Sequence, residues 1–235
     1  MGVFRFKQFE VDDHGCGMKI CSDSVLLAAW FLEPYKDARS VLDAGAGSGL
    51  LALMAALICG DAEVTAVELD KAAAQAAEVN FDNSPWRYRL RLLCCDYSSY
   101  CPAVPHDLII SNPPYFTNGV LSPDMARRAA RHQKGLTFES LLASPLAAGG
   151  HLGMVTPAAA YDDVIFQAAM HRRYPARICK VVTSPGKEAT RLLWDFADVE
   201  CPLREEILEL RDSDGLYSEE YRKIVEPYYL KLSVR

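Results

Sequence analysis

Asn112-Pro113-Pro114-Tyr115 is a segment whose residue types suit a specific chemical task. An amine on a purine ring is a poor nucleophile, because its lone pair is delocalised into the ring. The Asn112 carboxamide oxygen and the Pro113 carbonyl can each accept one N–H of such an amine. Two fixed acceptors draw the nitrogen toward tetrahedral geometry and stabilise the positive charge that grows on it during attack. Prolines have fixed φ, so Pro113 and Pro114 keep the acceptors rigid. Tyr115 offers a flat face for a base, a contact that contributes about 1–3 kcal/mol in single-strand binders. A base inside a helix cannot reach such a pocket, so it must be unpaired or flipped out. Phe116 reads equally as a second wall or as core. The same tetrapeptide would make a stiffened turn in any protein, so its meaning depends on what precedes it.

What precedes it is a glycine loop, Asp43-Ala44-Gly45-Ala46-Gly47-Ser48-Gly49, placed between a short apolar run and a helical pattern. Glycines allow sharp turns and close approach to a ligand, and they present amides at a helix N-terminus. The spacing is GxGxG with a leading acid, not the GxGxxG of dinucleotide sites. An acid here can accept from a ligand ammonium, which S-adenosylmethionine carries and a pyrophosphate does not. Glu68 ends the next strand, where an acid bonds ribose hydroxyls. Asp96 ends the third, where a carboxylate can accept from the adenine amine. Three acids at the ends of three consecutive strands match the edge at which open α/β sheets bind ligands. Lys19, Asp23, Leu69, Tyr97 and Asn112 are expected to complete the cofactor pocket around Gly45, Gly47 and Gly49.

These residues require a parallel sheet, and from about residue 40 short apolar runs alternate with helical patterns. Strands are expected at Val41–Asp43, Glu63–Glu68, Arg89–Cys95, Asp107–Ser111, His151–Thr156, Ile178–Thr183 and Arg191–Val199. Helices are expected at Leu50–Cys59, Lys71–Phe81, Leu136–Ala148 and Ala158–Arg173, the third ended by Gly149-Gly150. The expected fold is α/β, a seven-stranded, mostly parallel Rossmann-like sheet with helices on both faces. Residues 1–39 are expected as an N-terminal strand and helix extension forming part of the cofactor and substrate pocket, before a domain over 40–235. Val3–Val11 alternates Phe with polar residues like a one-faced strand, and Ser22-Asp23-Ser24 offers helix caps before Val25–Leu32.

Half the residues are apolar and 24% charged, which suits a packed core. Neither a membrane-spanning run nor a leader is evident, so a cytoplasmic protein is expected. His14, Cys16 and Cys21 resemble metal ligands, but a structural zinc site wants four. No metal is expected, and the eight cysteines should be free thiols. A net charge of −6 weighs against a nucleic-acid partner. Residues 121–191, however, hold ten Lys/Arg against five Asp/Glu, which permits a local basic face. Arg127, Arg128, Arg131 and Lys134 follow Tyr115 closely enough to flank a flipped base. A solvated helix face is the plain alternative, and Arg172, Arg173 and Arg177 form a second candidate patch.

The glycine loop and NPPY together resemble class I methyltransferases acting on planar amines. A narrower resemblance, to bacterial tRNA1(Val) adenine-N6 methyltransferases, runs over nearly the whole chain. It is carried by Phe6-Lys7-Gln8-Phe9, Met18-Lys19-Ile20, Val25-Leu26-Leu27-Ala28-Ala29-Trp30, Gly47-Ser48-Gly49-Leu50-Leu51, Ser84-Pro85-Trp86, Asp107–Tyr115, and Tyr217-Ser218-Glu219-Glu220-Tyr221 with Tyr228-Tyr229-Leu230. It departs at Cys21, Ser22 and Ser24, where Gly, Thr and Gly are expected. The resemblance implies a tRNA partner, methylation of the adenosine 3′ of the anticodon, and no obligate protein partner. The alternatives are a glutamine-amide protein methyltransferase, an adenine-N6 enzyme for another RNA or DNA, and a non-catalytic scaffold. The protein enzymes usually carry a substantial helical domain before the glycine loop, whereas 42 residues precede Asp43 here. A scaffold has no use for paired amine acceptors.

Overall fold

A computed structural model describes residues 2–17, 19–114 and 135–232. Tyr115, Phe116, Arg127, Arg128, Arg131 and Lys134 lie outside the described residues. The central sheet begins with β3 (Ser40–Ala44), β4 (Glu63–Glu68), β5 (Leu90–Cys94) and β6 (His106–Ser111), after a small hairpin of β1 (Val3–Arg5) and β2 (Glu10–Asp12). It is completed by β7 (Leu146–Pro157), β8 (Tyr174–Val182), β9 (Ala189–Ala197) and β10 (Arg204–Glu209). The strands lie side by side in the order β10-β8-β9-β7-β6-β3-β4-β5, with β9 antiparallel to both its neighbours and the other pairs parallel.

Among the described residues the sheet therefore has eight strands, one more than expected. The addition is Arg204-Glu205-Glu206-Ile207-Leu208-Glu209, an edge strand with only Leu208 buried. A strand exposed on most sides needs no apolar alternation, so its pattern carries no strand signal. The expected strand over Val3–Val11 is instead two three-residue strands. The chain reverses between them because Phe6 and Phe9 stack at 4.6 Å in one buried cluster. The expected helix over Leu136–Ala148 is only Phe138–Leu142. Pro145 ends it, since the residue before a proline is driven out of the helical region. Gly149-Gly150 then lies inside β7, not at a helix end. Gly150 is required there, because a Cβ would lie 2.8 Å from the carbonyl oxygens of Ala147 and Asp107.

Helices α1 (Ser22–Leu32) and α2 (Leu50–Ile58) pack on each other and on one face of the sheet. Every residue of α2 from Leu50 to Ala56 is buried. Each such leucine contributes about 1.5–3 kcal/mol relative to exposure. Helix α3 (Lys71–Asp82) starts at Asp70, whose carboxylate accepts from the Ala72 and Ala73 amides. Trp194 and Phe196 stack at 5.3 Å in the core of the other face. Among the described residues, no helix is long and apolar enough to cross a membrane.

Candidate active site

The chain passes from β3 outward through β4 to β5, then returns to place β6 against the other side of β3. Strand order thus reverses beside β3, and at such a point the loops leave a crevice outside the carboxyl ends of the strands. The glycine loop follows β3, Glu68 ends β4, Asp96 follows β5 and Asn112 follows β6, so all four stand on this edge.

The loop is held over β4 by the Gly45 and Ala46 amides, which donate to the Val67 carbonyl at 2.9 and 3.0 Å. Gly45 and Gly49 have φ of 77° and 81°, a left-handed conformation that strains other residues. Space demands glycine as well. A Cβ on Gly45 would lie 2.4 Å from Leu136 Cδ2, and one on Gly49 would lie 2.4 Å from Phe81 Cε1.

The three acids behave differently. Glu68 is almost fully buried and accepts from the Gly47 amide and the Asp70 amide, each at 2.7 Å. It pins the centre of the loop to the end of β4, with Leu69 half-buried beside it. Asp43 is fully buried, and its Oδ2 accepts from the Ala52 amide at 2.9 Å. Its Oδ1 has no partner among the described residues. Burial pushes this carboxyl up to about 7; the Ala52 bond opposes the shift and the nearby Glu68 charge adds to it. Asp96 accepts from the Ser98 amide and hydroxyl at 2.9 and 2.8 Å. It also stands against Gly135, where a Cβ would come within 1.8 Å of its Oδ1.

Asn112 is 8% exposed. Its Nδ2 donates to Ser24 Oγ at 2.9 Å and to Cys21 Sγ at 3.4 Å, while its Oδ1 has no partner among the described residues. Pro113 and Pro114 follow directly. The crevice thus combines a tight glycine loop, two buried carboxylates and a carboxamide oxygen without a partner among the described residues. Those groups suit an ammonium-bearing, nucleoside-like cofactor and an N–H-bearing substrate.

Residues 13–163 match the methyltransferase small domain family. A tRNA1(Val) (adenine(37)-N6)-methyltransferase of Bacteroides fragilis is 40% identical, over 97% of this chain and 98% of its own length. The protein of the same name from Aeromonas hydrophila is also 40% identical, with the same coverage of each chain. The chain belongs to this tRNA1(Val) (adenine(37)-N6)-methyltransferase family. A predicted O-methyltransferase from Agrobacterium tumefaciens shares the fold, with a TM-score of 0.67, 20% identity and coverage of 87% of this chain and 96% of that one.

In this methyltransferase several expected site residues have other attachments. Lys19 Nζ donates to the Asp13 carbonyl at 2.9 Å and approaches Asp13 Oδ1 at 3.3 Å. Asp23 pairs with Arg191 at 3.0 Å. Tyr97 is buried beneath the crevice, its hydroxyl 2.6 Å from Ser144 Oγ. The second basic patch is largely consumed inside the fold. Arg177 bonds Asp195 at 2.8 Å, and Arg173 donates to the Leu142 and Ser144 carbonyls.

Sequence reasoning missed Asn80, which is buried and ties three segments together. Its Nδ2 donates to the Ser48 carbonyl at 2.8 Å and the Asp12 carbonyl at 2.9 Å, while Oδ1 accepts from the Asp12 amide at 2.9 Å. An Asn inside an alanine-rich helix was the available signal, because Asn favours caps and turns over helix interiors.

Proposed function

We propose that this enzyme methylates N6 of adenosine 37 in tRNA1(Val), with S-adenosylmethionine as donor. The observation that carries the chemistry is the buried Asn112 Oδ1, without a partner among the described residues while both protons of its NH₂ group are engaged. The substrate rests on the relatives, which span the chain almost end to end. A tRNA substrate places the enzyme in the cytoplasm, and the reading requires no protein partner.

The residues present fit the cofactor. Asp43 has a buried oxygen, without a partner among the described residues, for a cation. At Gly47 the loop faces open space, with no described atom within 4 Å of where a Cβ would lie. Asp43, Gly45, Gly47, Gly49, Glu68, Leu69 and Asp96 would hold it, with Lys19, Asp23 and Tyr97 supporting the pocket. When bound, S-adenosylmethionine supplies an electrophilic methyl group on a sulfonium. Asn112 Oδ1 and the Pro113 carbonyl accept the two N–H groups of the adenine amine and stabilise the charge developing on nitrogen. Pro114 keeps that turn rigid, and holding the amine in line lowers the entropic part of the barrier. The flipped base is assigned to Tyr115 as its stacking face, and Phe116 to a second wall. Arg127, Arg128, Arg131 and Lys134 take the flanking phosphates. Residues 1–39 act as one wall of the site and 40–235 as the methyltransferase domain.

The test is transfer of label from the methyl donor to bulk tRNA and, in parallel, to a release-factor protein. Label in tRNA as N6-methyladenosine supports the reading; label confined to protein overturns it. Reversing Arg127 and Arg128 to Glu is expected to weaken tRNA affinity and to reduce the salt slope of log K by about 2. An unchanged slope assigns docking to another face.

Asp43 makes cofactor binding depend on pH. Its folded-state pKa lies above the ordinary value of 3.8, so its contribution to the ligand-free fold is fully present below 3.8 and is lost as pH rises through about 7. A bound ammonium favours the charged form and reverses that preference. Cofactor Kd by calorimetry is therefore expected to tighten about tenfold from pH 6 to pH 8, beyond any change in Asp43→Asn. Identical pH profiles in the two proteins would remove Asp43 from the ammonium site.

A further inference from the structure

Asn112 has two chemically opposite ends, and only one of them can receive an amine. The carboxamide can lie either way round in the same space. With oxygen toward the crevice it accepts an N–H. With nitrogen toward the crevice it presents its own protons to the substrate's. The protein must therefore choose, and the choice is made behind the carboxamide.

Two acceptors stand there, both from the start of α1. Ser24 Oγ lies 2.9 Å from Nδ2, and Cys21 Sγ lies 3.4 Å from it. They are also 3.5 Å from each other. The Ser24 hydroxyl proton can point at Cys21 Sγ, which leaves the Oγ lone pairs facing Nδ2. Both amide protons are then used, and Oδ1 is the atom left without a partner among the described residues. In the reverse orientation the same two groups could offer protons to Oδ1, but Nδ2 would be buried with no acceptor among the described residues, which is costly. Ser24 is itself buried, so water does not substitute for it.

We propose that Ser24, seconded by Cys21, is a positioning residue that fixes the Asn112 carboxamide with its oxygen toward the substrate amine. This rests on the amine-accepting role assigned to Asn112 above.

The experiment combines spectroscopy with kinetics. In ¹⁵N–¹H spectra the Asn112 side-chain NH₂ pair is identified by its loss in Asn112→Ala. In Ser24→Ala that pair should shift and exchange faster with solvent. Single-turnover methyl transfer to tRNA should fall about tenfold in Ser24→Ala, with cofactor Kd and melting temperature near wild type. Placed in the Asn112→Ala background, Ser24→Ala should change the rate less than about twofold, because the group it orients is gone. An unmoved NH₂ pair overturns the proposal. So does an undiminished tenfold effect in the Asn112→Ala background, which would indicate a general packing role. Wild-type protein that fails to methylate tRNA, yet shows the Ser24-dependent shift, overturns the proposed function and leaves the positioning intact.

Discussion

Asn112→Ala is expected to lower the rate of methyl transfer by about 10²–10³-fold, the cost of deleting one preorganised polar group at a site of developing charge. Cofactor affinity should change less than about threefold, because the carboxylates and the glycine loop that surround the crevice are untouched. The size of the effect follows from burial. At 8% exposure, water cannot readily take over the acceptor role of Oδ1. Truncation to alanine also leaves Ser24 Oγ and Cys21 Sγ without the group they contact. Asn112→Asp offers a sharper comparison. It retains an acceptor but brings a charge into the pocket and removes both donors to Ser24 and Cys21. Single-turnover rates with saturating cofactor separate the outcomes. Turnover within threefold of wild type in Asn112→Ala would show that the amine is bound elsewhere.

The cofactor half of this crevice was legible because its signals are local. Glu63–Glu68 is a short Val- and Ala-bearing run ending in an acid, and the strand has those very bounds. The following helix is announced by an alanine-rich stretch, and it starts at the expected Lys71. The glycine loop needs positive φ at named positions, and only glycine meets that need without strain. Harder to read were contacts made across the chain. Ser24 and Asn112 are 88 residues apart, and no periodicity links them. Asn80 sits in a helix, yet its bonds go to the hairpin and to the glycine loop. Charge counts were also blind to partners. Arg173 and Arg177 raise the basic balance of their segment, but their guanidinium groups bond carbonyls and a buried carboxylate. The Gly149-Gly150 pair was misread for a related reason. Its role depends on the neighbouring Asp107 carbonyl, which comes close only when β6 and β7 lie together.

The largest stability effect is expected at Asp195, in the half of the sheet beyond β7. Asp195 is fully buried in β9, the antiparallel strand. Its Oδ2 accepts from Arg177 Nε at 2.8 Å and from the Tyr35 hydroxyl at 2.8 Å, and its Oδ1 faces His151 Nδ1 at 2.7 Å. Arg177 in turn lies 4.1 Å above the Trp30 ring, so one carboxylate joins β8, β7 and the end of α1. Asp195→Ala strands the guanidinium in a largely buried position, and breaking such a pair by removing one partner costs about 3–5 kcal/mol. For a chain of this size that corresponds to a fall in melting temperature of roughly 10 °C. The mechanism makes a further demand. If the stranded cation is the source of the loss, Arg177→Met in the Asp195→Ala background should recover part of it, because the two changes share one interaction. Calorimetric melting of the four proteins decides between this and simple cavity formation. A double variant no more stable than Asp195→Ala would assign the loss to packing. A fall of less than about 2 °C in the single variant would show that the buried network adds nothing net to the fold.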